Sequence, residues 1–194
     1  MNNLQNITGI ILAGGKSSRM GTDKGLLTLR GDAFIALIID AVKPLVKDII
    51  IVSNNTDYDQ FGYKRVDDII ENAGPVAGIY TGLYHSTTEN NLVISCDVPL
   101  VKTVILNKLI EGYEDGFDVI QIQSQNKTMP LIALYKKQCM SVFLWLLKND
   151  ERRLRYAISQ LNTKTIVLGS ELKEFVTNIN TQEQLNDIKY AVEY

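Results

Sequence analysis

The chain has 194 residues, of which 45% are hydrophobic and 22% charged, and its net charge is -2. That is one domain's worth of chain with enough apolar surface for a sizeable core, and the charge balance argues against a basic groove for nucleic acid. A small-molecule partner is favoured, and a polyanionic one would be held by a few local cations and backbone N–H groups.

The stretch from Met1 to Thr8 is polar and has no apolar run of signal-peptide length, and no segment reaches the length of a membrane span. The expectation is a soluble, cytoplasmic protein with no membrane partner. Ile10-Ile11-Leu12, stopped by Ala13-Gly14-Gly15, reads as a buried strand and a turn. Lys16 to Asp32 is polar, glycine-punctuated and too long for a tight connection, which marks it as a functional or disordered loop. Phe34 to Val46 reads as a helix, with Asp32 as N-cap and Pro44 disturbing the last turn. Asp48 to Ser53 is a second buried strand and Lys64-Arg65-Val66 a weak third. Gly74 to Gly78 reads as a turn before a short helix, Ile79 to His85.

Leu92 to Ser95 is another buried strand, ending at Cys96-Asp97, and Val101 to Glu111 is a helix. Strands follow at Val119 to Ile122 and Leu131 to Tyr135, then helices at Cys139 to Leu147 and Arg153 to Leu161. Thr165 to Leu168 is a strand and Thr181 to Val192 the last helix. Continuous apolar strands alternating with helices predict an α/β fold, a single doubly wound and mostly parallel sheet covered on both faces. One domain, 1–194, is expected, with no repeat or linker. Ligands bind beyond the carboxyl ends of such strands, so Leu12, Ser53, Val66 and Ser95 mark the functional edge. Cys96 and Cys139 are far apart, fit no metal-ligand spacing, and read as reduced, buried thiols. The single histidine, His85, argues against a His-based triad or a His-rich metal site and reads as a surface residue near a helix end.

The loop Leu12-Ala13-Gly14-Gly15-Lys16-Ser17-Ser18-Arg19-Met20-Gly21-Thr22-Asp23-Lys24-Gly25 fits neither common glycine pattern. The glycine that a Walker A loop needs ahead of Gly15-Lys16-Ser17 falls on Ile10, and no G-x-G-x-x-G is present. Its chemistry still suits an anion: glycines at a strand end expose backbone N–H groups, and Arg19 and Lys24 add positive charge. A solvated basic loop is the plain alternative. The block from Thr8-Gly9-Ile10-Ile11 through Asp23-Lys24-Gly25-Leu26-Leu27 resembles the L-A-G-G…R-M-G…K signature of nucleotidyltransferases. Within them it is most similar to the molybdenum cofactor guanylyltransferases, over nearly the whole chain. The resemblance implies transfer of GMP from GTP to molybdopterin, with release of pyrophosphate. It also implies that Leu12, Ala13, Gly14 and Gly15 meet the nucleotide, and that Arg19 and Lys24 are catalytic cations on the triphosphate.

Asp97 ends a buried strand, where a turn cap and a Mg²⁺ ligand are both open readings. Cys96-Asp97-Val98-Pro99 resembles the family's C-D-x-P metal motif, which implies Mg²⁺ as cofactor and Asp97 as catalytic metal ligand and nucleotide contact. Asp68, in Val66-Asp67-Asp68 ahead of Gly74-Pro75-Val76-Ala77-Gly78, resembles the family's nucleotide-contacting aspartate, with Asp67 its exposed neighbour. Gly78 would let the nucleotide pack against the next helix, and Asn54 or Asn55 would face it. On the acceptor side, Asp150-Glu151-Arg152-Arg153 resembles a G-E-R-R segment and implies a role for Arg152 or Arg153, Arg153 being preferred. Asn178-Ile179-Asn180-Thr181 resembles an N-x-N-T segment and implies roles for Asn178 and Asn180, while Thr181 suits an N-cap. Around Thr128-Met129-Pro130-Leu131 the family's H-P-T is missing its His and Thr.

The substrates implied are GTP and molybdopterin, with molybdoenzymes or their chaperones as candidate receivers of the product. The acceptor phosphate is ionised at neutral pH and needs no general base, so positioning and charge neutralisation carry the reaction. The rivals are a molybdopterin cytidylyltransferase, a sugar- or alditol-phosphate nucleotidyltransferase, and a nucleotide-binding regulatory module without turnover. The L-A-G-G stretch resembles the guanylyl branch; the cytidylyl branch more often has alanine third.

Overall fold

The computed structural model describes residues 6–14 and 23–191. Its elements in chain order are β1 (Ile7–Leu12), β2 (Thr28–Leu29), β3 (Asp32–Ala33), α1 (Phe34–Val42), β4 (Asp48–Val52), β5 (Lys64–Val66), α2 (Gly74–His85), β6 (Asn90–Ser95) and α3 (Thr103–Glu111). β7 (Val119–Ser124), β8 (Lys127–Lys136), α4 (Cys139–Lys148), α5 (Leu154–Ser159), β9 (Thr163–Val167) and α6 (Gln182–Ala191) follow. Seven strands form one sheet in the order β5-β4-β1-β6-β8-β7-β9, and all but β8 run parallel. The mostly parallel, doubly wound sheet expected from the alternating pattern is therefore present. None of the described helices is long and apolar enough to cross a membrane.

Burial on both faces explains the continuous apolar strands. Ile7, Ile11, Ile49, Ile51, Leu92 and Ile94 pack against α1 and α3 on one face. Ile10, Leu12, Ile50, Val52 and Val93 pack against α2, α4 and α5 on the other. Each such side chain, fully buried, contributes about 1.5–3 kcal/mol. The chain leaves β1 toward β4 on one side and returns at β6 on the other, which creates the switch point where such sheets open a crevice. Leu12 is level with both Val52 and Ser95, and Val52 with Val66, so the strand ends line up in one row.

Four local readings needed correction. α1 stops at Val42, and its N-cap is Ala33 without a side-chain bond; Asp32 lies in β3 instead. Part of the long loop is ordered as a hairpin, β2 to β3, whose turn residues Arg30 and Gly31 both have positive φ. Gly74 to Gly78 is the first part of α2, because Pro75 sits where a helix needs no N–H donor. β8 begins at Lys127, joined to β7 by Gln125-Asn126, both at positive φ, a turn that reverses the chain and makes β8 antiparallel.

Candidate active site

The crevice over the carboxyl ends of β1, β4 and β5 is a cavity of about 600 Å³, lined among others by Leu12, Gly14, Asn54, Asn55, Asp68 and Gly78. The sheet's hydrogen bonding continues to its lip: Ala13 N donates to Val52 O, Ser53 N to Val66 O and Cys96 N to Leu12 O, each at 3.0 Å. Asp68 is the polar centre. Its backbone N donates to Asn54 Oδ1 at 2.7 Å, and its Oδ1 is buried without a partner among the described residues. Burial raises the pKa of this carboxyl, and the charges of Asp67 and Glu71 add to the effect. A Cβ on Gly14 would lie 3.7 Å from Asp68 Oδ2, and one on Gly78 would lie 3.3 Å from Leu12 Cδ2 and 3.9 Å from Asp68 Oδ1. Both glycines thus keep space open beside an unpaired acceptor. Asp67 points away to pair with Arg65, which also bonds Asp59 and the carbonyl of Ser53.

Lys24 and Asp97 are held by one distant segment. Lys24 Nζ donates to Asn180 Oδ1 at 2.6 Å, and Asn178 Nδ2 donates to Asp97 Oδ2 at 3.1 Å. Between them Ile179 N donates to the carbonyl of Asp97 at 2.8 Å, while the Ile179 side chain is buried with Leu29, Phe34 and Leu185. Thr181 Oγ1 accepts from Gln184 N, and Gln184 Oε1 accepts from Asn180 N and Thr181 N. This reciprocal cap fixes the start of α6 and with it the asparagine that holds Lys24. The other oxygen of Asp97, Oδ1, is buried and has no partner among the described residues. No group of three or more His, Cys, Asp or Glu side chains placed to hold a metal occurs among the described residues. One carboxylate with a free oxygen suits Mg²⁺, which keeps most of its waters and takes phosphate oxygens.

Asp23 anchors the other end of Lys24. Its Oδ1 caps Gly25 N at 3.2 Å and accepts from the Tyr58 hydroxyl at 2.5 Å; its Oδ2 accepts from Asn55 Nδ2 at 3.3 Å. Tyr58 is fully buried, and burial with the Asp23 bond raises its pKa strongly. A Cβ on Gly25 would come within 2.3 Å of that hydroxyl, so only glycine fits after Lys24.

A second cavity, of about 490 Å³, shares Ser95 and Leu131 with the first. Asp97 and Asn178 form part of its wall, with apolar Val98, Met129, Leu154 and Val176, and Lys127, Arg155 and Lys173 supply positive charge. Arg153 stands outside both cavities: its guanidinium is engaged by Glu151, whose carboxyl it lowers to about 2, and lies over the Tyr156 ring. Arg152 pairs with Asp150 and reaches the carbonyl of Asn72.

The MobA-like NTP transferase domain family matches residues 9–165. The chain belongs to this family. A protein of Flavobacterium johnsoniae named a probable molybdenum cofactor guanylyltransferase is 34% identical, with 95% of this chain and 97% of that protein covered. The molybdenum cofactor guanylyltransferase of Desulfosudis oleivorans is 32% identical over 96% of each chain. Among solved structures, the molybdopterin-guanine dinucleotide biosynthesis protein A of Archaeoglobus fulgidus has the same fold, with a TM-score of 0.81 at 22% identity, covering 96% and 98%.

For a MobA-like transferase, the structure brings Leu12, Gly14, Asp68 and Gly78 to one cavity. Asp97 and Asn178 lie in the adjoining one, and Lys24 and Asn180 are bonded together. Ala13 is buried at the lip. Gly15 and Arg19 lie outside the described residues. Sequence reading missed Asp23 and Tyr58, whose only signal was an aspartate next to the chosen lysine. It also missed Arg155, because arginines of one short segment were ranked by pattern rather than by which side of α5 faces the cavity.

Proposed function

We propose that this chain transfers GMP from GTP to molybdopterin in the cytoplasm, giving molybdopterin guanine dinucleotide and pyrophosphate. The observation that carries the proposal is the pair of bonds Lys24–Asn180 and Asp97–Asn178. Asp97 lines the second of two cavities that share Ser95 and Leu131, and Lys24 is tied through Asn180 to the segment that holds Asp97. The first cavity takes the guanine nucleoside: backbone groups at Leu12 to Gly14 and the Asp68 carboxylate present a fixed set of partners for one base and its ribose. A mismatched base would leave buried groups unpaired, which discriminates strongly. The second cavity takes the pterin of the acceptor, its apolar walls for the ring and Lys127, Arg155 and Lys173 for negative charge.

An oxygen of the acceptor's terminal phosphate attacks the α-phosphorus of GTP, the bond to the bridging oxygen of the β-phosphate breaks, and pyrophosphate leaves. Lys24, held in place by Asn180 and by the Asp23 cap, meets the charge that develops at phosphorus, and the family resemblance gives Arg19 the part of a second cation on the triphosphate. A preplaced group of this kind is worth about 10²–10³ in rate. Asp97 would hold Mg²⁺, which when bound neutralises phosphate charge and orients the reacting oxygens. The receivers of the product are molybdoenzymes or their chaperones. Pyrophosphate release is measured with GTP, CTP, ATP or UTP plus molybdopterin, with and without Mg²⁺. Turnover with GTP and Mg²⁺ alone supports the proposal. Equal use of CTP, or no turnover with any nucleotide, rejects it.

A further inference from the structure

We propose that Gln121 recognises the exocyclic amine of the acceptor's pterin, in a cavity that adjoins the one beside Asp97. The proposal rests on the acceptor reading above. It begins from an irregularity in the sheet. β7 and β8 pair in register as far as Gln121 with Ala133, and then Ile122 pairs with Met129, so Pro130, Leu131 and Ile132 have no partners on β7. Pro130 has no N–H to give a neighbouring strand, which favours a departure from the ladder there. A third cavity, of about 360 Å³, opens beside this departure under α5. It shares Lys127, Thr128, Pro130 and Arg155 with the acceptor cavity, so the two adjoin.

Gln121 belongs to the wall of that cavity and is 5% exposed. Its Nε2 donates to Thr165 Oγ1 at 3.2 Å, and its Oε1 is buried without a partner among the described residues. Its neighbours on the same face, Val119, Ala133 and Ile158, are apolar and belong to the core. An unpaired amide carbonyl there costs stability that a leucine would not, and a ligand donor would remove that cost. The Pro130 carbonyl already accepts from the Tyr135 hydroxyl at 2.7 Å, which leaves the glutamine as the acceptor for an incoming group. The rim carries Lys127 and Arg155, so that group is a neutral N–H donor and not a second cation. A pterin held by its phosphate near Asp97 presents its exocyclic amine at the opposite end, which matches this polarity.

The test uses fluorescence titration with a 6-substituted pterin monophosphate and with the matching lumazine, in which a carbonyl replaces the exocyclic amine. Wild type is expected to bind the pterin at least about tenfold more tightly than the lumazine, the scale of a lost buried hydrogen bond. Gln121→Leu should lose about tenfold in pterin affinity and the preference with it, while GTP affinity, the check on folding, stays unchanged. Gln121→Glu keeps an acceptor at the same place and should keep the preference. Equal binding of the two probes by wild type, or an undiminished preference in Gln121→Leu, overturns the assignment. Wild type that binds GTP but neither probe overturns the acceptor reading itself.

Discussion

Replacing Asp68 with asparagine is expected to stabilise the protein and weaken GTP binding. Asp68 Oδ1 is buried without a partner, and burial raises the carboxyl's pKa above the ordinary value of about 3.9. The sign follows directly. A group whose folded pKa exceeds its unfolded one binds its proton more tightly in the fold. Its ionised form therefore costs stability at neutral pH, and the cost is relieved as pH falls through the raised value. Asp68→Asn removes the charge and keeps the shape. The side chain is half-buried and partly screened by solvent, so the gain lies at the low end of an unpaired buried group, about 1 kcal/mol. That corresponds to roughly 2–4 °C in Tm for a chain of this size. The same change weakens a charge-assisted acceptor for the nucleotide, worth about 1.5–3 kcal/mol, so GTP affinity should fall roughly ten- to a hundredfold. Thermal melts and calorimetric titration with GTP measure the two effects. Wild-type affinity should also drop as pH falls through the raised pKa, and the variant's should not. A lower Tm, or unaltered GTP affinity, would refute the reasoning.

Asn178→Ala removes the side-chain bond that Asp97 makes among the described residues, so the Mg²⁺ concentration for half-maximal turnover should rise about 10–100-fold with little change in GTP affinity; a proportional loss at saturating Mg²⁺ would count against a metal-positioning role. Tyr58→Phe deletes the hydroxyl bonded to Asp23 and should lower stability by about 1.5–3 kcal/mol in denaturant titration. In that background Gly25→Ala should do less harm than in wild type, because the nearest clash is with the missing oxygen; equal damage in both would disprove the packing argument. At high pH, burial pushes the Cys139 thiol up to about 12 and raises Tyr135, so both stay protonated after their unfolded counterparts ionise. Stability should fall by about 1.4 kcal/mol per unit for each group, above about pH 9 for Cys139 and above about pH 10 for Tyr135, and Cys139→Ala should make the decline shallower; equal slopes in the variant and wild type would exclude Cys139 as a source.

Much of this architecture is visible in the linear pattern because it depends on near neighbours. Ile10-Ile11-Leu12, Ile49 to Val52 and Leu92 to Ser95 are apolar throughout because both faces of a parallel sheet are covered, and the residues after each run fall at the ligand edge. Thr181 reads as a cap because its partner, Gln184, is one turn away. Gly74 to Gly78 misled for the same local reason: glycine and proline signal a turn, and only the docking of α2 on β1 and β4 makes a helix of them. The choice of Arg155 over Arg153 depends on which side of α5 packs against β8, and the contact of Tyr58 with Asp23 joins residues far apart in the chain. The free carbonyl of Gln121 exists only where β8 leaves β7. The sequence by itself determined the mostly parallel sheet and the edge at which its strands end, because periodicity is local. Tertiary structure alone decided that Asn178 and Asn180 hold Asp97 and Lys24, since those contacts form only when the C-terminal segment buries Ile179 against the β2–β3 hairpin and α1.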